Sequence, residues 1–198
     1  MRIARIALAQ VDGKWPNLAL MCIAAYHRRL GHEVEWFNPL FAREYDAIYA
    51  SKIFNFTPDN LYLPPDAVRG GTGYDLHSAL PPEVEACFPD YSLYDLDYAI
   101  GFTTRGCPRR CPFCVVPRKE GTLRVVGDLY SFWKPETGFT KVRLLDNNLT
   151  AAPWEHFRLV IEQLASNRLL VDISQGLDAR LMTDDHARLL AKVRLWKQ

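Results

Sequence analysis

Gly101–Lys119 reads GFTTRGCPRRCPFCVVPRK. Three of the chain's five cysteines fall in it, Cys107, Cys111 and Cys114, spaced C-x3-C-x2-C with Phe113 immediately before the last. Ahead of them runs the apolar segment Tyr98-Ala99-Ile100-Gly101-Phe102, which reads as a buried strand. The cysteines therefore leave the C-terminal end of a strand, the edge at which α/β folds bind ligands. Three thiolates so close in sequence can close around one metal centre. Iron–sulfur clusters are held by cysteine thiolates, and structural zinc takes four Cys or His ligands. Only three donors are local: Cys22 and Cys87 are distant in sequence, and no histidine lies between Ala79 and Ala152. Three ligands on a four-iron cluster leave one iron open to a small molecule. Pro108 and Pro112 stiffen the loop. Arg105, Arg109, Arg110, Arg118 and Lys119 make it basic, which favours thiolates and suits an anionic cluster.

C-x3-C-x2-C with an aromatic residue before the last cysteine resembles the motif of the radical S-adenosylmethionine (SAM) enzymes. The resemblance implies a 4Fe-4S cluster on Cys107, Cys111 and Cys114, with the amino and carboxylate groups of SAM on the fourth iron. It implies reductive cleavage of SAM to a 5′-deoxyadenosyl radical that takes hydrogen from a substrate, fed by an external electron donor. The backbone at Phe113 would then lie against the adenine. The alternatives are an iron–sulfur electron-transfer module that does not cleave SAM, with Cys87, His77 or Asp146 as fourth ligand, and a zinc-binding protein that contacts nucleic acid through the basic loop. A net charge of +1 and little aromatic interleaving in that loop weigh against nucleic acid.

Downstream, Asp128–Trp133 carries a helix-like apolar pattern ended by Pro135 and Gly138. Val142–Leu145 is a strand ending in Asp146-Asn147-Asn148. Thr150 or a neighbour caps the next helix, with Pro153 at its start. Leu169–Ile173 is a further strand, ending in Ser174-Gln175-Gly176-Leu177-Asp178-Ala179-Arg180, and Thr183 caps a last helix. Three β-α units, each with polar residues at its strand end, resemble the first half of the radical SAM partial TIM barrel. That resemblance makes Asp146 and Asn148 candidates for the SAM amino group, although the Gly-Gly-Glu run of many relatives is absent; the alternative is a helix-capping turn. Gln175, Asp178 and Arg180 are candidates for the SAM carboxylate, the ribose or the substrate, against a surface ion pair of Arg180 with Asp178 or Asp184. The family barrel has six units, so the expectation is a fragment of a longer chain. A minimal enzyme completed by a partner or second copy, and a decayed protein, are the alternatives.

Upstream, Ile3–Ala9, Val34–Phe37 and Tyr45–Ala50 read as strands. Between the first two, Leu18, Met21, Cys22 and Ala25 form one apolar helix face, with Pro16 at its first position and Gly31 as its stop. Alternating β and α elements argue for a parallel sheet of Rossmann or flavodoxin type. Residues 1–92 resemble a shortened form of the Rossmann-like, cobalamin-binding domain that precedes many radical SAM cores, with the core at 93–198. The cobalamin-ligating pattern Asp-x-His-x-x-Gly is absent, which weighs against cobalamin. Cys22 reads as a packed helix residue, His32 as a surface residue, and Ser51-Lys52 as either a ligand-facing or a solvated strand end. Val68–Tyr74 reads as a strand end with a glycine turn. No apolar run approaches the roughly 18 residues needed to span a bilayer, and the clustered, odd cysteine count argues against a disulfide framework. The expectation is a reduced, cytoplasmic protein with no membrane partner. The substrate is not legible.

Overall fold

The computed structural model describes residues 2–196. The chain forms two compact units, Met1–Asp95 and Leu96–Gln198, each of mixed α/β type around a parallel sheet. None of the helices among the described residues is long and apolar enough to cross a membrane.

In the first unit β1 (Arg5–Gln10) leads to α1 (Leu18–Arg29), then β2 (Glu33–Trp36), β3 (Ala47–Ser51), β4 (Val68–Gly70) and the single turn α2 (Pro82–Glu85). The sheet runs β2-β1-β3-β4, all parallel. The chain thus winds one way from β1 and then the other, the order of flavodoxin-like sheets. β1 is apolar on both faces, with Ile6, Ala7 and Leu8 fully buried, as expected of a central parallel strand. Leu20, Met21 and Ala24 of α1 are buried too. The helix begins two residues later than the proline suggests. The Asn17 side chain accepts the Leu20 amide at 3.2 Å and donates to Ser51 Oγ at 2.8 Å, so Asn17, not Pro16, sets the start. Gly31, at φ 80°, ends it as expected.

No second full helix follows. β2 and β3 are joined by the 3-10 turn Pro39–Phe41, and β3 and β4 by an irregular, proline-bearing loop. Asp12 pins that loop: its carboxylate accepts from the Ile53 and Phe54 amides at 2.8 and 2.6 Å and from Thr57 Oγ1 at 3.2 Å. Ser51 and Lys52 are both buried, neither a solvated edge nor open to a ligand. Lys52 is ion-paired to Asp59 and lies 4.4 Å from the Tyr74 ring centroid, which neutralises the buried ammonium. His32 is half-buried, its Nδ1 3.0 Å from His27 Nδ1. Cys22 packs in the helix face as read.

In the second unit β5 (Ala99–Gly101), the short β6 (Thr104–Arg105), the turn α3 (Val116–Lys119) and β7 (Arg124–Val125) precede β8 (Lys141–Leu144), α4 (Trp154–Ser166), β9 (Leu170–Ile173), α5 (Asp184–Leu190) and β10 (Arg194–Leu195). The main sheet runs β10-β9-β8-β5, all parallel, so each new strand is laid beside the preceding one without reversal. β6 and β7 form a separate antiparallel pair that closes the base of the cysteine loop. α4 buries Phe157, Val160, Ile161 and Leu164. Asp128–Trp133 is not a helix. Asp128 and Ser131 form a capping box around one 3-10 turn, Leu129–Ser131. Trp133 Nε1 donates to Phe139 O at 2.9 Å, spanning the 3-10 turn Pro135–Thr137. The apolar residues are still buried, Leu129, Phe132 and Trp133 among them. Thr183 caps α5 as read, accepting the His186 amide.

Gly101 shows how tightly this unit is packed. A Cβ built there would fall inside the Phe132 ring, and Phe132 is itself buried. Gly101→Ala is expected to lower the stability of the second unit by about 1–3 kcal/mol, the usual cost of overpacking. A urea titration following that unit checks it; an unchanged midpoint would mean that Phe132 rotates away freely.

Candidate cofactor site at the cysteine loop

Strand ends bring the chemistry together. Gly101 of β5 pairs with Leu144 of β8, and Leu144 with Ile173 of β9. The segments 102–106, 145–149 and 174–178 therefore leave the sheet at one edge. Between β6 and β7 the cysteine loop stands on two glycines at positive φ, Gly106 at 82° and Gly121 at 74°. At Gly106 a side chain would strike the Thr122 carbonyl, so only glycine fits that pivot. Cys107 N donates to Gly121 O at 3.2 Å, closing the loop on itself.

Beneath the loop lies a buried polar knot. Asp146 Oδ1 accepts from Thr104 N at 2.5 Å, Thr103 Oγ1 at 2.6 Å and Thr104 Oγ1 at 2.7 Å. The Thr103 amide lies 3.2 Å from both carboxylate oxygens. Asp146, Thr103 and Thr104 have no solvent exposure. His156 of α4 completes the knot, its Nε2 3.1 Å from Thr103 Oγ1. Because the Thr103 hydroxyl donates to Asp146, Nε2 must be the donor to Thr103. Burial lowers the His156 pKa, against smaller opposing effects of Asp146 and Asp128, so the ring is neutral with its proton on Nε2.

Above the knot two asparagines hold the loop. Asn147 Oδ1 accepts the Gly106 amide at 2.9 Å, and Asn148 Nδ2 donates to Cys107 Sγ at 3.5 Å. Thr150 Oγ1 donates to Asn148 Oδ1 and accepts the Asp178 amide, both at 2.9 Å. Asp178 reaches back to the loop through Arg109 at 3.0 Å and takes Arg180 in a two-point pair at 2.7 and 3.1 Å. The two guanidinium groups, Arg180 first, hold the Asp178 carboxyl well below the usual carboxylate range, so it stays charged at any physiological pH.

The sequence-derived candidates divide accordingly. Cys107, Cys111, Asn148, Gln175, Asp178 and Arg180 line one cleft of about 360 Å³. Asp146 does not: its oxygens are engaged by the two threonines below, which removes it both from that cleft and from the candidates for a fourth ligand. Phe113 projects outward, 92% exposed. All three cysteines are free and partly exposed, but only Cys107 and Cys111 share the cleft. Among the described residues no three His, Cys, Asp or Glu side chains are gathered closely enough to hold a metal ion. Two cations of the basic loop are paired within the unit, Arg105 with Glu120 at 3.1 Å and Arg109 with Asp178 at 3.0 Å.

No protein-family model matches this chain, and no curated protein is significantly similar to it. By donor type the loop suits a three-thiolate centre, since three cysteines, none in a disulfide, sit on one glycine-pivoted loop, although their sulfurs are not gathered in this structure. Asp178, the carboxylate of the cleft, is held by arginines. Sequence reading did not place the Thr103–Thr104 pair in the site, and it named Asn147, Arg109 and Thr150 in other roles: Thr150 read as a helix cap, whereas α4 has Pro153 at its cap with no side-chain bond. The two threonines do carry a signal: hydroxyl residues directly after one buried strand and an aspartate directly after another fall side by side when those strands pair in parallel.

Proposed function

We propose that the chain binds a 4Fe-4S cluster through Cys107, Cys111 and Cys114, with SAM at the open fourth iron, as in radical SAM enzymes. The observation that carries this reading is the shared cleft, in which two of the motif cysteines face Gln175, Asp178 and Arg180 at the C-terminal edge of a parallel sheet. Strands added in chain order are also how a partial TIM barrel is built, and the second unit fits part of one. Bound there, the cluster and SAM supply reductive cleavage and hydrogen abstraction from a substrate.

The chain's own residues bind and orient. Arg180 uses Nε and one terminal nitrogen on Asp178, leaving its other terminal nitrogen to bind a ligand carboxylate, and Gln175 supplies an uncharged donor and acceptor beside it. Asp178 fixes both Arg180 and the loop residue Arg109, so cleft and loop keep their relative positions. Asp146 acts below, holding the chain that enters the loop. The first unit resembles a reduced cobalamin domain in strand order alone and is assigned no cofactor. A cytoplasmic setting with an external one-electron donor belongs to the same reading.

The test is anaerobic reconstitution with iron and sulfide, followed by electron paramagnetic resonance of the reduced protein with and without SAM. A four-iron signal that changes on adding SAM is expected. A cluster indifferent to SAM would favour an electron-transfer module, and zinc in place of a cluster would sink the proposal.

A further inference from the structure

We infer that Asn148 is a tuning residue. Its side-chain amide, donated to the Cys107 sulfur, sets the reduction potential of the cluster that Cys107 helps to hold. The inference rests on the cluster reading above and deepens it.

The geometry begins with Asn148 itself, which is almost wholly buried, 4% exposed. Its Nδ2 lies 3.5 Å from Cys107 Sγ, within range for N–H···S. An asparagine can be turned end for end, so the orientation needs its own argument. Thr150 supplies it. The Asp178 backbone amide occupies a lone pair of Thr150 Oγ1 at 2.9 Å, and an amide can only donate. The Thr150 hydroxyl hydrogen then has two acceptors within reach, Asn148 Oδ1 at 2.9 Å and Asp178 O at 3.4 Å. The shorter contact is the stronger. With Oδ1 accepting from Thr150, the NH2 group must face Cys107. The flipped amide would aim an oxygen lone pair at a thiolate and leave the Thr150 hydroxyl hydrogen only the longer contact to Asp178 O at 3.4 Å. The relay Asp178 N–H to Thr150 to Asn148 to Cys107 thus has one consistent direction, and Thr150 too is buried.

A hydrogen bond to a cluster sulfur withdraws electron density. It stabilises the more negative, reduced state and raises the potential. Asn148 is suited to this because it carries no charge and cannot itself ligate iron as an aspartate would. Its neighbour Asn147 accepts the Gly106 backbone amide instead.

The experiment is a potentiometric titration of the reconstituted protein, followed by its reduced-state paramagnetic signal, in the wild type and three variants. Asn148→Leu keeps the bulk and removes the donor. Asn148→Asp keeps the shape and reverses the polarity. Thr150→Val leaves Asn148 in place and frees its orientation. The expected result is a midpoint moved to more negative potential in Asn148→Leu and further in Asn148→Asp. Thr150→Val should move it the same way by less, with iron and sulfide content equal to wild type in all three. A midpoint that does not move in variants that keep the cluster would overturn the inference and leave the cluster reading standing. Loss of the cluster from Asn148→Leu and Thr150→Val alike, with the Asn148→Asp midpoint unmoved, would show a structural role and overturn it as well. If the wild type itself takes up no cluster, the cluster reading fails, and this inference fails with it.

Discussion

Asp146→Ala is expected to destabilise the second unit by several kcal/mol and to free the entry to the cysteine loop. Asp146 is completely buried, and its partners are two backbone amides and two hydroxyls. Removing the carboxylate strands all four donors in a site without solvent exposure. Each buried donor left without an acceptor costs about 1–3 kcal/mol. The hydroxyls can turn to other acceptors, but the Thr103 and Thr104 amides cannot. The two amides alone amount to about 2–6 kcal/mol, against a typical domain stability of about 5–15 kcal/mol. Asp146→Asn keeps one oxygen for Oδ1's partners and should lose less. The measurement is urea unfolding of the second unit, with hydrogen exchange at the Thr103 and Thr104 amides as the local probe. Equal stability in wild type and Asp146→Ala would mean that water enters and replaces the carboxylate.

The same residue marks the limit of what sequence can tell. The strands were legible because each is a short apolar run with a polar stop, and their observed ends lie within a residue or two of the reading. What could not be read depends on partners distant in the chain. Asp146 is a candidate SAM contact by resemblance, with a helix-capping turn as the alternative; the parallel pairing of β5 with β8 instead puts Thr103 and Thr104 over it. Lys52 reads equally well as a ligand-facing or a solvated strand end; Asp59 and Tyr74 close around it instead. Asp128–Trp133 has a helical apolar pattern, yet so short a stretch cannot nucleate a helix against a local cap at Asp128 and a proline at 135. The two-residue strands β6, β7 and β10 were missed, Val125 having read as part of the helix-like pattern, because none carries an apolar run; pairing with a distant strand makes each of them a strand. In the site, the cysteines were legible from spacing, a local property. Asn147, Thr150 and Arg109 acquire their roles only across the sheet edge.

The second large effect separates the five cysteines into two classes. Cys107→Ala, Cys111→Ala and Cys114→Ala are each expected to abolish four-iron uptake on reconstitution, while Cys22→Ala and Cys87→Ala retain it in full. Cys22 and Cys87 lie buried in the first unit, Cys22 Sγ donating to Cys87 O at 3.7 Å and Cys87 Sγ to Glu83 O at 3.3 Å. Their thiols act as small apolar groups, and truncation should cost about 1 kcal/mol of burial without touching the cluster. The loop cysteines are partly exposed and bury little, so their removal should leave the second unit folded, which far-ultraviolet circular dichroism of the apo variants checks. Cys114 is the sharpest case. It does not line the cleft that Cys107 and Cys111 share, and its amide is tied to Cys111 O at 3.0 Å. If Cys114→Ala still assembled a four-iron cluster that responds to SAM, the three-cysteine assignment would fail and a different third ligand would have to be found. If it alone of the three lost the cluster while Cys107→Ala kept it, the Asn148–Cys107 contact would have no cluster to tune.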